Sequence, residues 1–383
     1  MKQSFSDILK GIDNDRDRKV RSKLPHWYNC GEKLEFPSSL SLEQCSSTAT
    51  ALYKAGVAAR IAADDAEIRI ADLTGGLGVD SWAFAGKAGA VFYNEMNRNL
   101  AEAAGRNFER LGLGNVSVNS FEVAASSDDW SAALERFRPG LIFLDPARRD
   151  SAGRKVFLLE DCSPDVLTLL PRLESLCSHI LIKVSPMADI TMLRRRLPGL
   201  REIHIVAAGG EVKELLLYSE AGNSGGSCVT IIANPDSGEV FTIPQEVAGA
   251  VPATGIPGPG ELIFEPTAAV LKSGEQQKIG AVFGLAPLSH DSQLFVRTSG
   301  GEAPSSALFK CFEVIDTEPL CSSGLRAFAQ RHPGADASAR GVHLSSEELH
   351  RRLGRSRGGE DDCHVFGFAT ASGKHLVAAR RKS

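Results

Sequence analysis

Short apolar runs alternate with helix-like segments between residues 67 and 208. The runs EIRIADL, AVFYNE, LIFLDP, HILIKVS and EIHIVAA are separated by longer stretches in which apolar residues recur at helical spacing. Strand and helix signals in such alternation predict a parallel sheet that is covered by helices on both faces. Ahead of this region, residues 41–61 are rich in alanine and lack proline, which favours a helix. The pattern predicts an α/β domain that follows a helical N-terminal region.

A stretch rich in proline and glycine divides the rest of the chain. The sequence VPATGIPGPGE at 251–261 has the composition of a linker. Beyond it, turn signals separate two shorter α+β pieces. We therefore predict a helical region over 1–68, the α/β domain over 69–250, a linker with a short α+β segment over 251–300, and a last α+β domain over 301–383.

Composition indicates a globular protein, with 43% hydrophobic and 23% charged residues. The eight cysteines form no C-x-x-C pair, which favours reduced thiols and a cytoplasmic location and argues against a bound metal. The polar stretch MKQSFSDILKGIDNDRDRK is not a signal peptide, and no run of about twenty apolar residues could span a membrane. The net charge of −4 gives no global basic field for a nucleic-acid partner.

The turn after the first predicted strand is the most informative stretch. In IRIADLTGGLGVDSWAFA, Asp72 ends the strand, and Gly75, Gly76 and Gly78 lead into a helix. Glycines let the backbone pass close to a ligand, and a helix N-terminus offers unpaired N–H groups. Glu95 ends the next strand, where a carboxylate can accept hydrogen bonds from both hydroxyls of a ribose. A purely structural glycine turn is the alternative, but this context favours a cofactor that contains a nucleoside.

A second polar signal follows the fourth strand, LIFL. The strand ends on Asp145, Pro146, Ala147 and Arg148. In a doubly wound sheet the fourth strand lies beside the first, and ligands bind beyond the carboxyl ends of the strands at that reversal. Asp-Pro also commonly begins a turn, so a structural role is the alternative. The position after strand four favours a carboxylate that faces the cofactor.

The first turn resembles motif I of class I methyltransferases that use S-adenosylmethionine (SAM). The pattern is Asp72-x-x-x-Gly76-x-Gly78, whereas a dinucleotide fingerprint would require a glycine where Ser81 stands. The resemblance implies that Asp72 faces the amino-acid end of SAM, that Glu95 holds the ribose, and that the residues after the third strand hold the adenine. Phe121 fits a place in the core equally well. The implied cofactor-binding set is Asp72, Thr74, Gly75, Gly76, Gly78, Glu95, Phe121, Glu122 and Asp145.

The DPAR stretch resembles a degenerate (D/N/S)-P-P-(aromatic) motif of methyltransferases that act on exocyclic amines. In that motif the acid accepts a hydrogen bond from the NH₂ group and aligns its lone pair with the methyl group, so alignment supplies much of the rate. Here Arg148 replaces the aromatic residue, although a guanidinium can also stack on a base. A D-P-P-R motif also occurs in uridine-C5 methyltransferases, but the cysteine that they require is absent from HILIKVSPMADI. The implied catalytic residues are Asp145, Pro146 and Arg148.

Over nearly its whole length the chain resembles a bacterial class I SAM methyltransferase family with a ferredoxin-like segment and a C-terminal THUMP-like domain. The resemblance rests on EQCSSTATALYKA, DLTGGLGVDSWAFA, DPARR, IKVSPMADI, GGEVKELL, ELIFEPTAAVLKSG and GGEDDCHVFGFATASGKHLVAAR. The core is also similar to trimethylguanosine synthases, which methylate guanine N2. These resemblances imply a Rossmann-like sheet, an RNA partner such as rRNA or tRNA, and a pocket walled by EQCSSTATALYKA.

Basic patches agree with an RNA partner, although each alone is more often a solvated surface. RRLGRSRGG at 351–359 and the final ARRKS are suited to phosphates. The expected substrate-binding residues are Arg148, Arg149, Lys183, Ser185, Arg351, Arg352 and Arg355. Two alternatives stay open, a SAM-dependent methyltransferase of a small molecule or protein, and a SAM-binding RNA adaptor with weakened catalysis.

Overall fold

The computed structural model describes residues 15–31, 33–63, 65, 67–148, 159–223, 225–290, 292–353 and 363–382, and of Arg148 and Asp161 the backbone alone. The described residues form two compact units, one within Met1–Ala208 and Lys213–Gly238, the other within Gly209–Val212 and Glu239–Ser383. In the described ranges no helix has the length and apolar character needed to cross a bilayer.

Among the described residues, four helices precede the sheet of the first unit. They are α1 (residues 15–23), α2 (Pro25–Tyr28), α3 (Ser39–Gln44) and α4 (Thr48–Ile61). The hydroxyls of Ser38 and Ser47 cap α3 and α4 by accepting hydrogen bonds from backbone N–H groups of their first turns. Leu24 and Trp27 are buried in a cluster that also contains Ile70 and Leu141 of the sheet, so these helices share one core with it.

Strands and helices then alternate along the chain, as the sequence pattern predicts. They are β1 (Arg69–Asp72), α5 (Val79–Ala85), β2 (Ala90–Asn94), α6 (Arg98–Arg110), β3 (Val116–Asn119), α7 (Asp129–Phe137), β4 (Leu141–Leu144), the short β5 (Ala147–Arg148) and β6 (Cys162–Ser163), α8 (Val166–Leu176), β7 (His179–Val184), α9 (Ile190–Arg196), β8 (Leu200–Ala208), β9 (Glu211–Glu220) and β10 (Val229–Asn234). All four residues of β4 are buried, as expected for a strand with both faces covered.

In the first unit the strand order is β10-β8-β9-β7-β4-β1-β2-β3. β1 pairs in parallel with both β2 and β4, so Asp72 lies opposite Tyr93 on one side and Phe143 on the other. β4 pairs in parallel with β7, and β9 runs antiparallel beside β7. The chain therefore reverses its direction of winding between β1 and β4, which is where ligands bind in such sheets. The expectation of a Rossmann-like α/β sheet is confirmed.

The second unit has its own sheet, with the order β13-β14-β12-β15-β18-β17-β16. Its elements, after β11 (Glu239–Thr242), are β12 (Leu262–Pro266), α10 (Ala268–Ser273), α11 (Gln276–Val282), β13 (Leu285–Pro287), β14 (Phe295–Arg297), β15 (Phe309–Pro319), α12 (Ser322–Arg331), β16 (Asp336–Arg340), α13 (Ser346–Arg352), β17 (Cys363–Thr370) and β18 (Gly373–Arg381). The α+β character agrees with the sequence analysis. Because β12 pairs with β15, the segments over 251–300 and 301–383 contribute to one sheet.

Candidate active site

A cavity of about 1690 Å³ lies in the first unit at the carboxyl ends of β1, β2, β4 and β7. Its lining comes from the turns that follow these strands and from the chain around α3. Gln44, Cys45 and Ser46, within the segment that the sequence analysis expects to form a wall, are among the lining residues. The position agrees with the ligand site expected at the reversal of strand order.

The glycines after β1 are required by close packing. A Cβ atom on Gly75 would lie 2.2 Å from Cε2 of Tyr93. Gly78 has a φ of 89°, and a Cβ atom there would lie 2.6 Å from Cζ of Phe108. Gly75 and Gly76 line the cavity, and the carbonyl of Gly76 accepts a hydrogen bond of 2.6 Å from the Tyr93 hydroxyl. Gly78 thus shapes the turn by packing against Phe108, while Gly75 and Gly76 present backbone to the cavity.

Asp72 supports this turn from beneath. The side chain is fully buried and is not part of the cavity lining. Oδ2 accepts a 2.6 Å hydrogen bond from the Ser81 hydroxyl, and Oδ1 accepts one of 3.2 Å from the backbone N–H of Thr74. Burial raises the pKa of Asp72 to about 8. The structure therefore places Asp72 between the turn and α5, whereas the sequence analysis expects it to face the amino-acid end of SAM.

Glu95, Phe121 and Glu122 of the expected cofactor set also line the cavity, as do Thr74 and Asp145. Glu95 accepts hydrogen bonds from the backbone N–H of Gly76 at 3.0 Å and from that of Asn97 at 2.8 Å. Phe121 stacks on Phe92 with an interplanar angle of 5° and a centroid distance of 6.5 Å, and Glu122 is exposed beside it. These are a carboxylate, a ring and a second carboxylate, the side chains that the sequence predicts for the ribose and the adenine of SAM.

Asn94 is a functional candidate that the sequence analysis missed. Its buried side chain bonds both the backbone N–H of Phe121, at 2.8 Å, and the carbonyl of Phe121, at 3.1 Å. The same amide donates to the carbonyl of Leu73 at 3.1 Å. Asn94 therefore ties the chain at Phe121 to the turn after β1, and both segments line the cavity. A polar residue at the end of an apolar strand was the only available signal.

The lining residues fit a cationic cofactor without phosphate. SAM carries a sulfonium and an ammonium group, and the backbone of Gly76 borders open space, since a Cβ atom there would meet only the carbonyl oxygen of Thr74, at 4.0 Å. Among the described lining residues acids outnumber lysines, so the charge of this part of the lining is complementary to these cations. The acids are Asp80, Glu95, Glu122, Asp145, Glu160, Asp165 and Glu214, and the lysines are Lys183 and Lys213.

Asp145 follows β4 and faces the cavity, with 31% of its side chain exposed. Its backbone N–H donates a 2.6 Å hydrogen bond to the Thr74 hydroxyl, which ties the end of β4 to the turn after β1. Oδ2 accepts a 2.5 Å hydrogen bond from Nζ of Lys183 on β7. Burial lowers the pKa of Lys183, but Asp145, Glu214 and Asp80 together raise it by more, so Lys183 stays protonated.

A buried ion cluster lies behind this pair. Lys54 of α4 has no exposed surface, and its Nζ lies 2.8 Å from Oε1 of Glu214 and 3.2 Å from Oδ1 of Asp80. Nζ also donates to the Ser46 hydroxyl, which in turn donates to Oδ2 of Asp80 at 2.8 Å. Burial lowers the pKa of Lys54, and the two carboxylates raise it by more. The members of this cluster share no local pattern in the sequence, so the cluster could not be predicted from it.

The remaining expected site residues lie in different places. Pro146 and Ser185 line the cavity. The backbone of Arg148 pairs with Cys162, while Arg149 and Arg355 lie outside the described residues. Arg351 and Arg352 are exposed on α13 of the second unit, and both contact the carboxylate of Glu348, Arg352 at 2.7 Å. Across the described ranges, no group of three or more His, Cys, Asp or Glu side chains could hold a metal.

The strand order, the antiparallel β9 beside β7, and the glycine turn under a large cavity define a class I methyltransferase, an enzyme class whose methyl donor is SAM. A crystal structure of a protein from Porphyromonas gingivalis W83, assigned as a methyltransferase, is 30% identical to this chain. The match covers 96% of this chain and 89% of that one, with a TM-score of 0.80. The chain belongs to the family of this methyltransferase.

Other solved structures have lower sequence identities and TM-scores to this chain. A SAM-dependent methyltransferase from Aquifex aeolicus is 15% identical, with 49% of this chain and 100% of that one covered and a TM-score of 0.34. A protein from Pyrococcus horikoshii, assigned as an RNA methyltransferase, is 13% identical. That match covers 55% of this chain and 98% of that one, with a TM-score of 0.35. Similarities at that level support no inference about function. Searches of protein-family models and of curated proteins gave no match.

Proposed function

We propose that the enzyme transfers the methyl group of SAM to an exocyclic amine nitrogen of a nucleobase in structured RNA, with guanine N2 as the candidate atom. The observation that carries this proposal is the position of Asp145. Its carboxylate faces the cavity beyond β4, beside the glycine turn that follows β1. When bound, SAM supplies an electrophilic methyl group on a sulfonium.

The residues that would hold the cofactor follow the carboxyl edge of the sheet. Glu95 is suited to the ribose hydroxyls because it presents carboxylate oxygens at the end of β2. Phe121 offers a ring face for the adenine, and the exposed Glu122 offers an acceptor for its amino group. The backbone of Gly75 and Gly76 forms the floor on which the amino-acid part would lie. Asp72 contributes to that floor by accepting a hydrogen bond from the backbone N–H of Thr74.

Asp145 is suited to orient an amine rather than to remove its proton before attack. Oδ2 is engaged by Lys183, and no described residue bonds to Oδ1. Oδ1 can therefore accept a hydrogen bond from an N–H of the substrate, which directs the nitrogen lone pair away from the carboxylate. The same negative charge stabilises the positive charge that develops on the nitrogen during transfer. Lys183 holds the carboxylate in this orientation.

The size of the cavity supports a substrate as large as a nucleobase. Pockets for drug-sized ligands are about 300 to 1,000 Å³, and this cavity of about 1690 Å³ exceeds that range. Its lining includes Ser38 and Leu40 at the start of α3 and Asp165 and Thr168 at the start of α8. A cofactor and a flipped base would fit in it together. RNA itself is inferred from the resemblance of the sequence and from the basic residues Arg148 and Arg149 that follow Asp145.

A small-molecule amine is a second candidate, and one observation favours it. Glu160 and Asp165 line the cavity, where they would attract a positively charged substrate and repel phosphates. In that case Asp145 would have the same orienting role, and no nucleic acid would be needed.

Methyl transfer from labelled SAM to the RNA, protein and small-molecule fractions of a deletion strain tests the proposal. We expect label in a single nucleoside of the RNA fraction, released by nuclease digestion as an N-methylated base. Label confined to the small-molecule fraction would instead establish the second candidate. Label on carbon C5 of a pyrimidine would contradict the orienting role of Asp145.

A further inference from the structure

The first unit contains a second, basic cavity of about 580 Å³. Four of its lining residues are cationic, and Glu35 is the one acid among the described residues that line it. The remaining lining atoms come from apolar side chains and one amide. The cations are Arg16, Lys33, Arg106 and Arg110, and the other residues are Leu34, Phe36, Pro37, Asn99 and Ala103.

This cavity is preorganised by α6. Arg106 and Arg110 are four residues apart on that helix, so their side chains share one face. Nη2 of Arg106 lies 2.8 Å from Oε2 of Glu35, and Nη2 of Arg110 lies 3.0 Å from Oε1. The Asn107 side chain accepts from the backbone N–H of Glu35 at 2.7 Å and donates to its carbonyl at 2.8 Å. The segment that carries Lys33 and Phe36 is therefore fastened to the helix.

Among the described residues that line this cavity, positive charge remains in surplus. The two arginines lower the pKa of Glu35, so it stays ionised and offsets one of the four cations. Two guanidinium groups together carry more N–H donors than Glu35 and the carbonyl of Lys33, which accepts from Arg110 at 2.8 Å, can use. Arg16 places its guanidinium 5.2 Å from the ring centroid of Phe36. Guanidinium forks match the geometry of phosphate oxygens, and an arginine beside an aromatic ring suits a nucleotide.

The basic cavity adjoins the active-site cavity through continuous chain. Phe36 and Pro37 line the basic cavity, and Ser38 and Leu40 line the other. On α6, Asn99 faces the basic cavity and Leu100 the active-site cavity. A nucleic-acid strand with one nucleotide in the active site would therefore bring a neighbouring nucleotide to the basic cavity.

We propose that this basic cavity binds a backbone phosphate of the RNA strand that flanks the methylated nucleotide. The inference rests on the proposed RNA substrate and adds to it a second contact, which holds the strand while the base lies in the active site. Such a contact positions the strand without reading its sequence. It lies in the same unit as the active site, so it requires no contribution from the basic residues of α13.

The test compares two charge reversals of equal size. The variant Arg16→Glu with Lys33→Glu changes the cavity but leaves the contacts of Arg106 and Arg110 with Glu35. The control is Lys87→Glu with Arg136→Glu, two exposed residues of the same unit. Both residues lie near the start of β1. Lys87 shortly precedes Gly89, whose N–H donates to the carbonyl of Ile68, and Arg136 shortly precedes Gly140, whose N–H donates to the carbonyl of Arg69. That end of the sheet is opposite the active-site cavity.

Filter binding of radiolabelled total RNA from the deletion strain, repeated over a range of salt, gives Kd and its salt dependence. For the cavity variant we expect Kd to rise about tenfold or more near 0.1 M salt, and the slope of log Kd against log salt concentration to fall in magnitude by about 1, the value for one lost phosphate contact. The control should stay close to the wild type. Calorimetry with S-adenosylhomocysteine should give the same affinity for all three proteins.

Two other results would overturn the inference, and they differ in what else they reject. If the wild type binds RNA and both variants bind it equally well or equally poorly, the basic cavity is not a phosphate site, while the proposed function stands. If the wild type retains S-adenosylhomocysteine binding but binds no RNA at any salt concentration, both the phosphate site and the RNA substrate are rejected.

Discussion

Nζ of Lys183 donates a 2.5 Å hydrogen bond to Oδ2 of Asp145, and so joins the carboxyl ends of the neighbouring strands β7 and β4. The pair lies at the wall of the active-site cavity, with Lys183 16% and Asp145 31% exposed. Because this bond engages one carboxylate oxygen, it fixes the direction in which the other can accept. We therefore regard Lys183 as a positioning residue that acts through Asp145.

Replacing Lys183 tests this role. Lys183→Met should lower kcat by up to about 10²-fold, since small misplacements of an orienting group are costly. The affinity for S-adenosylhomocysteine should change by no more than a few-fold, and Lys183→Arg should recover part of the rate because it restores a charged donor. Steady-state kinetics and calorimetry on both variants provide the two readouts. Equal rates for Lys183→Met and the wild type would exclude the positioning role.

Substitution of Gly78 by alanine should lower stability for two reasons, which a control substitution can separate. Gly78→Ala places a Cβ atom against Phe108 and also forces alanine into a φ of 89°. Gly112→Ala has a comparable φ of 73° but no atom within 4 Å of the new Cβ. The strained backbone conformation should lower the free energy of unfolding of both variants by about 1 kcal/mol or more. Overpacking against Phe108 should lower that of Gly78→Ala by roughly 1–3 kcal/mol more.

Urea denaturation gives the free energy of unfolding for both glycine variants. We also expect Gly78→Ala, but not Gly112→Ala, to weaken binding of S-adenosylhomocysteine, because the turn after β1 shifts when Phe108 is displaced. Equal destabilisation by the two substitutions would show that the contact with Phe108 does not matter.

The cluster around Lys54 should contribute to stability through charge balance. Lys54→Met leaves Asp80 and Glu214 buried without their cation, which should cost about 3–5 kcal/mol. Adding Asp80→Asn and Glu214→Gln should recover much of that loss because no uncompensated charge then remains. An exposed pair is the matched control: Arg98 lies 3.8 Å from Glu102 with 85% of its side chain exposed, and Arg98→Met should cost less than about 1 kcal/mol. A small effect of Lys54→Met alone would contradict the account of this cluster.

Asp72 should make stability depend on pH. Burial raises its pKa from 3.8 to about 8, so the folded state binds more protons than the unfolded state between these values. Stability contributed at this site is therefore greatest at low pH and falls as the pH rises through the window. Asp72→Asn keeps an acceptor for Thr74 and a donor for Ser81 but does not titrate.

Urea midpoints of the wild type and Asp72→Asn, measured between about pH 5 and about pH 8, test the sign. The wild type should lose stability relative to the variant as the pH rises across that range. A constant difference, or a wild type that gains on the variant, would show that Asp72 is ionised in the fold throughout.

The sequence predicted the features that depend on local pattern. The sheet followed from alternating strand and helix signals, and the cavity followed from the polar residues that end β1, β2 and β4. Gly75, Gly76, Glu95 and Asp145 could be chosen because strand ends of a parallel sheet meet at one edge. The cavity lining includes all four.

Features that depend on distant side chains could not be predicted in this way. Lys54 and Glu214 are 160 positions apart, and Glu35 and Arg106 are 71 apart, so neither pair leaves a local signal. The direction of Asp72 is decided by Ser81 on α5, a contact that the strand pattern does not contain. The pairing of β12 with β15, which gives the second unit a single sheet, is equally non-local.

Turnover of Asp145 variants tests the central claim most directly, with the S-adenosylhomocysteine affinity and the unfolding midpoint measured on the same samples. Asp145→Ala should lower kcat by a factor on the order of 10²–10³, as removal of one preorganised polar group does elsewhere, while the affinity stays within a few-fold and the midpoint is little changed. Asp145→Asn should be milder because it keeps an acceptor oxygen. If Asp145→Ala instead lowers the midpoint and spares turnover per folded molecule, Asp145 only supports the turn after β4, and the proposed mechanism is wrong.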